Sequence, residues 1–239
     1  MMSNYRKTFR NVRNSARKMK TRARRGMSKI STPTNIYDQY IFSLKRLYPL
    51  CKHDTMVEAA NYQEHKITYG EMTYEGIEEL YTHVLSKTSS PLNSFLDVGC
   101  GRGKLCLYMA AKPNIYTSTG IELVKSRLMD AENLKSILSK KYLLYTNKTN
   151  FINEDILKLS LSDSINTNLK TFVWFSNLCF DPSVTTSIFE KLVSELSQGS
   201  IICCSKTPTD NINRLKKLEN VTIPMSWSQS SNVYMYMIE

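Results

Sequence analysis

The sequence lacks the features that mark membrane-spanning chains and secreted, disulfide-bonded folds. It contains no run of about 18 apolar residues, so we expect no transmembrane helix. Its N-terminus shows no apolar core of a secretory signal peptide. None of the six cysteines forms a Cys-x-x-Cys pair, so we predict no metal site and expect buried thiols in a reducing compartment.

Acidic residues are absent from the first 30 positions, which makes the charge distribution strongly uneven. The 11 Lys and Arg residues of this segment equal the formal net charge of the whole chain, +11. A block of like charge attracts polyanions, and counterion release makes such binding sensitive to salt. We name residues 1–33 the basic arm and expect it to be disordered, or helical when bound. The side chains predicted to contact nucleic acid are Arg6, Lys7, Arg10, Arg13, Arg17, Lys18, Lys20, Arg22, Arg24 and Arg25.

Three interpretations of the basic arm remain open. The first is a nucleic-acid-binding or nuclear-localising segment. The second is a mitochondrial transit peptide, because the arm is rich in Arg, contains Ser and has a weak apolar stripe at helical spacing that includes Tyr5, Phe9 and Val12. The third is a segment that only improves solubility or lies on a membrane surface.

A glycine-rich turn is the most informative feature that is present. Residues 94–98 predict an apolar strand that contains Asp97, and Gly99, Gly101 and Gly103 follow at alternate positions before an apolar helix. Glycine permits a sharp turn and a close approach of backbone to a ligand. The spacing differs from the dinucleotide pattern Gly-x-Gly-x-x-Gly. It resembles the first motif of class I S-adenosylmethionine (SAM)-dependent methyltransferases, so we predict SAM as the cofactor.

Two acidic residues follow the turn in the order that such a site requires. Glu122 ends a second predicted strand, near the separation of about 20 residues at which a carboxylate meets a ribose. A carboxylate can accept two hydrogen bonds from a ribose diol. Asp155 follows a third apolar segment, and the resemblance implies that it binds the adenine amino group while Ile156 packs on the ring.

Strands and helices alternate along the chain, which predicts an α/β fold with a doubly wound, mostly parallel sheet and an antiparallel C-terminal strand. We expect a helical lead-in over residues 34–88 and a methyltransferase core over residues 89–239. The expected helices cover part of 35–66 (ending at Pro49), 73–86, 102–112, 124–141 and a segment that starts at Asp181-Pro182. The expected strands include 115–122, 171–175, 201–204, 221–223 and 233–238. The ligand crevice should lie at the carboxyl ends of the parallel strands.

Four segments outside the cofactor motifs narrow the class of methyltransferase. They are Tyr69-Gly70-Glu71, residues 175–182, residues 201–208, and Ser226-Trp227 followed by Tyr234. In this order and spacing they resemble the Dot1 family of histone-lysine methyltransferases. These enzymes use the class I fold and modify a lysine of histone H3 on the nucleosome core surface. The resemblance covers about residues 65–239.

The resemblance implies a role for each motif. Residues that would close over SAM or surround its methionine end are Tyr69, Gly70, Glu71, Met72, Phe95, Asp97, Gly99, Gly101, Gly103 and Lys104. Residues that would line the passage for the acceptor lysine are Ser176, Asn177 and Phe180, with Trp227 and Tyr234 as its far wall. Ordinary core packing is the alternative role for the three aromatic residues.

Three positions depart from the usual family pattern. Ser176 stands in place of an Asn, Leu178 in place of an aromatic residue, and Lys104 in place of a Gln. A serine hydroxyl still forms hydrogen bonds, but it is shorter and less directional than an amide. Lys104 places a positive charge where the SAM carboxylate is expected.

The sequence therefore predicts a compact, monomeric Dot1-like histone-lysine methyltransferase that binds nucleosomes, with the basic arm on DNA phosphates. It would act in the nucleus or another site of chromatin assembly, in a viral factory or virion if the source is a large DNA virus, or alternatively in the mitochondrion. A SAM-dependent RNA methyltransferase remains an alternative, although the sequence has neither an Asn-Pro-Pro-Tyr motif nor a Lys-Asp-Lys-Glu set. A non-catalytic SAM-fold protein that binds nucleosomes or nucleic acid is the other alternative.

Overall fold

The computed structural model describes residues 35–51 and 70–239, so the basic arm, Tyr69 and the predicted helical content of 52–66 lie outside the described residues. The chain divides into two units, Met1–Leu50 and Cys51–Glu239. The described part of the first unit is helix α1 (Ile36–Leu47) and a 3₁₀ turn (Tyr48–Leu50) that contains Pro49. The Asn35 side chain accepts a hydrogen bond from the Asp38 N–H and caps α1.

A seven-stranded sheet forms the second unit, with strand order β3-β2-β1-β4-β5-β7-β6. Strands β1 to β5 are parallel, whereas β7 pairs in antiparallel fashion with both β5 and β6. The strands are β1 (Ser94–Val98), β2 (Thr117–Ile121), β3 (Thr149–Ile152), β4 (Thr171–Phe175), β5 (Ile201–Cys204), β6 (Leu215–Met225) and β7 (Ser228–Ile238). This topology confirms the predicted fold class, and the C-terminal pair of strands is longer than predicted.

The helices of this unit are α2 (Tyr74–Ser86), α3 (Lys104–Met109), α4 (Lys125–Thr146), α5 (Leu161–Ser164) and α6 (Pro182–Glu195). Two of them start as the sequence indicates. The Thr73 hydroxyl caps α2 by accepting the Gly76 N–H, and Pro182 occupies the first turn of α6.

Helices α3 and α4 differ in length from the prediction. Helix α3 is shorter because Gly103 has a left-handed backbone (φ 70°) and the chain after Met109 continues in single turns, with the Lys112 N–H bonded to the Met109 carbonyl. Helix α4 runs five residues beyond the predicted end at Lys141 and bends at Tyr142, whose φ and ψ are −128° and 43°. Apolar periodicity does not report such local departures in backbone geometry.

Apolar side chains fill both faces of the sheet. All residues of the central strands β1 and β4 are buried, as expected for parallel strands covered by helices on both sides. Phe175 packs edge-on against Phe189 of α6, with ring centroids 5.8 Å apart. The cysteines are free thiols in the described chain: Cys100, Cys106, Cys203 and Cys204 are buried as expected, whereas Cys51 and Cys179 are partly exposed because they lie in loops.

None of the helices in residues 35–51 and 70–239 has the length and apolar content that a membrane span requires. The same residues contain no group of three or more His, Cys, Asp or Glu side chains placed to hold a metal ion.

Candidate active site

The glycine turn after β1 forms a sharply curved loop at the carboxyl edge of the sheet. Gly99, Gly101 and Gly103 have φ values of 80°, 55° and 70°, in a backbone region that residues other than glycine rarely adopt. A Cβ at Gly103 would lie 2.3 Å from Cζ of Phe151, so the loop is tightly packed there. A Cβ at Gly99 would meet no atom nearer than Cζ of Phe180, at 4.0 Å. The backbone at Gly99 therefore borders open space.

Glu122 connects this loop to the neighbouring strand. Its carboxylate accepts the Gly101 N–H at 2.8 Å through one oxygen and the Val124 N–H at 2.8 Å through the other. The residue is buried, at 5% exposure. A carboxylate has about four acceptor positions, so these two bonds are compatible with further bonds to ribose hydroxyls. Glu122, predicted to bind the ribose, therefore also fixes the backbone of the glycine loop at Gly101.

Asp97 is a second buried carboxyl group beneath the loop. It is 3% exposed, and the Cys106 thiol contacts its Oδ2 at 3.8 Å. Burial, and then the negative charge of Glu122, raises the pKa of Asp97 to about 8. The raised pKa favours the protonated form of Asp97 at neutral pH. The neighbouring Glu122 carboxylate is held by two backbone N–H groups.

The segment after β3 contains two predicted residues, Asp155 and Ile156, and one that sequence reasoning missed. Asp155 is partly exposed, and its Oδ1 accepts the Leu157 N–H at 3.0 Å. Asn153 was not predicted, yet its Nδ2 donates to the carbonyl oxygens of Glu122 and Leu123 at 2.8 and 3.0 Å. This amide fixes the ends of β2 and β3 relative to each other. Its position two residues before Asp155 was the available sequence signal that Asn153 lies near the cofactor site.

Ile156, the predicted adenine contact beside Asp155, is 6% exposed. It belongs to the core cluster that covers the α6 face of the sheet. Most of its side chain therefore packs in the core.

Residues 70–73 pack on the tip of the β6–β7 hairpin, Pro224–Trp227. The Glu71 N–H donates to Ser226 Oγ at 3.1 Å, and the Glu71 carbonyl accepts the Ser226 N–H at 2.7 Å. Gly70 lies directly beneath the Trp227 ring, because a Cβ there would stand 2.3 Å from Trp227 Cζ3. Met72 forms an antiparallel bridge with Met225. Two segments that the sequence analysis named separately thus form one structural unit.

Lys104 connects that unit to the glycine loop. Its Nζ lies 2.8 Å from Oε2 of Glu71, and the residue is only 9% exposed. The Tyr74 ring lies 5.3 Å from the same ammonium. Burial, and then the charge of Glu71, raises the pKa of Tyr74 above its usual range. The predicted cofactor residues Glu71 and Lys104 are therefore in direct contact.

Asn177, predicted to line the acceptor passage, is fully buried and bonded to loop backbone. Its Oδ1 accepts the N–H groups of Ser205 and Lys206 at 3.0 and 2.8 Å, and its Nδ2 donates to the Lys206 carbonyl at 2.8 Å. The amide thereby joins the loop after β4 to the loop after β5. The neighbouring Ser176 is partly exposed, and Leu178 is exposed.

Phe180 and Tyr234 lie at the same edge of the sheet. Phe180 packs edge-on against Phe175, with ring centroids 5.4 Å apart. Phe175 pairs with Cys204 of β5, and Cys204 pairs with Tyr234 of β7, so these three side chains form one row at the carboxyl end of the parallel strands. Lys217 Nζ lies 5.6 Å from the Tyr234 ring centre.

Trp227 stands apart from that row. It lies at the turn of the hairpin, 44% exposed, seven residues before Tyr234. The structure therefore brings Trp227 to Gly70 and Tyr234 to the β5 edge. It does not bring the two aromatic side chains together in one wall.

The glycine loop, the acidic residues after β2 and β3, and the strand order define the class I SAM-dependent methyltransferase fold. Magnesium protoporphyrin IX methyltransferase from Synechocystis with bound SAM matches with a TM-score of 0.51 and 10% identity, over 87% of this chain and 100% of that chain. The same enzyme with bound S-adenosylhomocysteine (SAH) matches with a TM-score of 0.50 and 12% identity, over 77% and 99%. These similarities confirm the predicted fold.

The family model "Histone methylation protein DOT1" matches residues 54–235, so the chain belongs to the Dot1 family of SAM-dependent methyltransferases. The histone-lysine N-methyltransferase specific for H3 lysine-79 from Drosophila melanogaster is 28% identical over 143 residues. That match covers 58% of this chain and 7% of the relative, so the chain corresponds to a small part of that protein's length. The predicted family is confirmed, and SAM is the cofactor of the class to which the chain belongs.

Proposed function

We propose that this chain transfers a methyl group from SAM to a lysine of histone H3 on the nucleosome core surface. The observation that carries this proposal is the packing of residues 70–73 on the hairpin tip through Glu71 and Ser226, which are 155 residues apart in sequence. These two segments are the ones whose resemblance to the Dot1 family is most specific. They contact the residue that follows the glycine loop, Lys104, so the parts special to this family lie next to the cofactor motif.

The residues present fit the proposed cofactor. The open space beside Gly99 accommodates a ligand against bare backbone, and a tightly packed Gly103 fixes the curvature of the loop. We assign Glu122 to the ribose, Asp155 to the adenine amino group and Lys104 to the methionine carboxylate. When bound, SAM supplies a methyl group on a positively charged sulfur.

The acceptor side suits a lysine amine. A free lysine has a pKa of about 10.4, so it must lose its proton before it can attack the methyl carbon. Apolar surroundings such as Phe180 and Tyr234 lower the pKa of an amine by disfavouring its charged form, while their ring faces still attract the incoming cation. The proton leaves to water, the nitrogen–carbon bond forms and the carbon–sulfur bond breaks. Correct alignment of these atoms can lower the barrier by about 7–11 kcal/mol.

The basic arm supplies the proposed contact with nucleosomal DNA. Its 11 positive charges lie in a segment without any acid, which favours binding to phosphates wherever they are dense. Action in the nucleus, or at another site where chromatin assembles, follows from such a partner. A monomer is sufficient, because the proposed cofactor and acceptor residues come from one chain.

A methyl-transfer assay with labelled SAM tests the proposal directly. Intact nucleosomes, free core histones and total RNA serve as parallel acceptors, and mass spectrometry locates the product. We expect label on an H3 lysine, strongest with nucleosomes. The Glu122→Ala variant should lose activity at ordinary SAM concentrations, because both a loop contact and the ribose bonds disappear.

The remaining outcomes separate the alternatives. Label on RNA alone would identify an RNA methyltransferase and refute the histone proposal. SAM binding without transfer to any of the three acceptors would also contradict the proposal and favour a non-catalytic binding protein.

A further inference from the structure

We propose that Glu71 and Lys104 couple the cofactor site to the hairpin tip, so that binding of the amino-acid end of SAM fixes the position of Trp227. This inference rests on the proposed cofactor site and concerns its regulation. Glu71 has two roles in this proposal: its carboxylate meets the ligand ammonium, and its backbone is hydrogen-bonded to Ser226 of the hairpin tip.

The hairpin tip and residues 70–73 form one hydrogen-bonded unit in the described structure. Two backbone-directed hydrogen bonds join Glu71 to Ser226, and the Thr73 N–H and hydroxyl both donate to the Pro224 carbonyl at 3.2 Å. The Trp227 ring covers Gly70 so closely that only a hydrogen atom fits between them. A displacement of Glu71 must therefore displace Trp227.

An ion pair between Lys104 and Glu71 connects this unit to the end of the glycine loop. The ammonium is nearly buried, lies 2.8 Å from the Glu71 carboxylate and faces the Tyr74 ring. A charge-assisted hydrogen bond that is shielded from water is stronger than one at the surface. The position of Glu71 therefore depends on what else Lys104 contacts.

The Lys104–Glu71 pair complements the amino-acid end of the proposed cofactor. That end carries one carboxylate and one ammonium on the same carbon atom. The Lys104 ammonium has three N–H donors, so it can bond to a second carboxylate without releasing Glu71. The ligand ammonium at the same time provides a second cation for the Glu71 carboxylate. Four alternating charges then hold residues 70–73 more firmly than the pair alone.

Tryptophan fluorescence reports this coupling without any added label. The chain has two tryptophans: Trp174 is buried, whereas Trp227 is 44% exposed. Iodide therefore quenches mainly Trp227. We expect saturating SAH to lower the iodide quenching constant about twofold in the wild-type chain, and 5′-methylthioadenosine, which lacks the amino-acid end, to leave it unchanged. Calorimetry confirms in each case that the ligand is bound.

Two variants connect the effect to the ion pair. Glu71→Gln should bind SAH about tenfold more weakly, because it loses the proposed contact with the ligand ammonium. At SAH concentrations that still saturate this variant, the change in quenching should be lost, and with saturating SAM the acceptor KM should rise about fivefold. Glu219→Gln is the matched control. Glu219 lies on strand β6 of the same hairpin, away from the glycine loop, and its carboxylate is 2.7 Å from Nζ of Lys87, the residue that caps the C-terminus of α2. We expect this control to behave like wild type in all three measurements.

The results decide between two separate failures. If SAH binds but quenching of Trp227 stays the same, or if the change persists in Glu71→Gln, the coupling is refuted while the proposed function stands. If the wild-type chain binds neither SAM nor SAH, the proposed function itself is wrong and the coupling falls with it.

Discussion

Asn177 contacts Lys206 through both ends of its amide, accepting the Lys206 N–H and donating to the Lys206 carbonyl, each at 2.8 Å. With the additional bond from Ser205, one buried side chain fixes the loop after β5 relative to the loop after β4. We propose that the acceptor passage lies between these loops, and that Asn177 acts on it through the backbone that its amide holds in place.

Replacement of Asn177 tests this role. Asn177→Ala leaves three backbone groups without their partner, and each unsatisfied buried group costs about 1–3 kcal/mol. We expect the free energy of unfolding to fall by about 2–4 kcal/mol in urea titrations. Asn177→Asp keeps the acceptor oxygen but places a second oxygen against the Lys206 carbonyl, so its loss relative to wild type should shrink as pH falls and the carboxyl group is protonated. A free energy of unfolding in Asn177→Ala equal to that of wild type would show that these bonds contribute little.

We expect different effects from two alanine substitutions in the glycine loop. Gly103→Ala places a Cβ against Phe151 in a left-handed backbone, so we expect a loss of stability above about 2 kcal/mol. Gly99→Ala meets no close neighbour, so only the backbone strain of about 1–2 kcal/mol should appear. Its new methyl group nevertheless enters the open space beside the loop. SAM affinity measured by calorimetry should therefore fall more than tenfold in folded Gly99→Ala, whereas unchanged affinity would place the ligand elsewhere.

The raised pKa of Asp97 should make the free energy of unfolding depend on pH. Its pKa is raised to about 8 in the folded chain, whereas an aspartate in an unfolded chain titrates near 3.9. Between these values the folded state binds one proton more, so the free energy of unfolding decreases as pH rises, by up to about 1.4 kcal/mol per pH unit. Urea titrations from pH 5 to pH 9 measure this slope. Asp97→Asn should remove it, and an equally steep slope in that variant would assign the effect to other groups.

Deletion of residues 1–30 tests the basic arm separately from the catalytic core. The deletion removes all 11 positive charges of that segment. We expect weaker binding to nucleosomes and free DNA, with a shallower dependence of affinity on salt, because fewer counterions are released. SAM binding should stay unchanged. A shortened chain that binds DNA with the same affinity and salt dependence would exclude the arm as the contact.

Local patterns predicted most of the architecture. The strand with Asp97, the glycine loop and the cap at Thr73 depend on neighbouring residues, so the sequence was sufficient to find them. The contacts of Asn153 and Asn177 could not be predicted, because both side chains bond to loops whose positions depend on the assembled sheet. For the same reason the sequence did not predict that Trp227 lies at the hairpin turn while Tyr234 lies beside β5. The spacing of the two residues along the chain does not show how far the hairpin extends beyond the sheet.

The contact between Glu71 and Ser226 also has a consequence for biosynthesis. Residues 70–73 leave the ribosome early, but their partners at the hairpin tip are translated 155 residues later. Contacts of such long sequence separation form late in folding. A nascent or prematurely terminated chain can therefore fold its parallel strands and still lack the contacts between residues 70–73 and the hairpin tip. We expect such fragments to transfer no methyl group, even though their basic arm can still bind DNA.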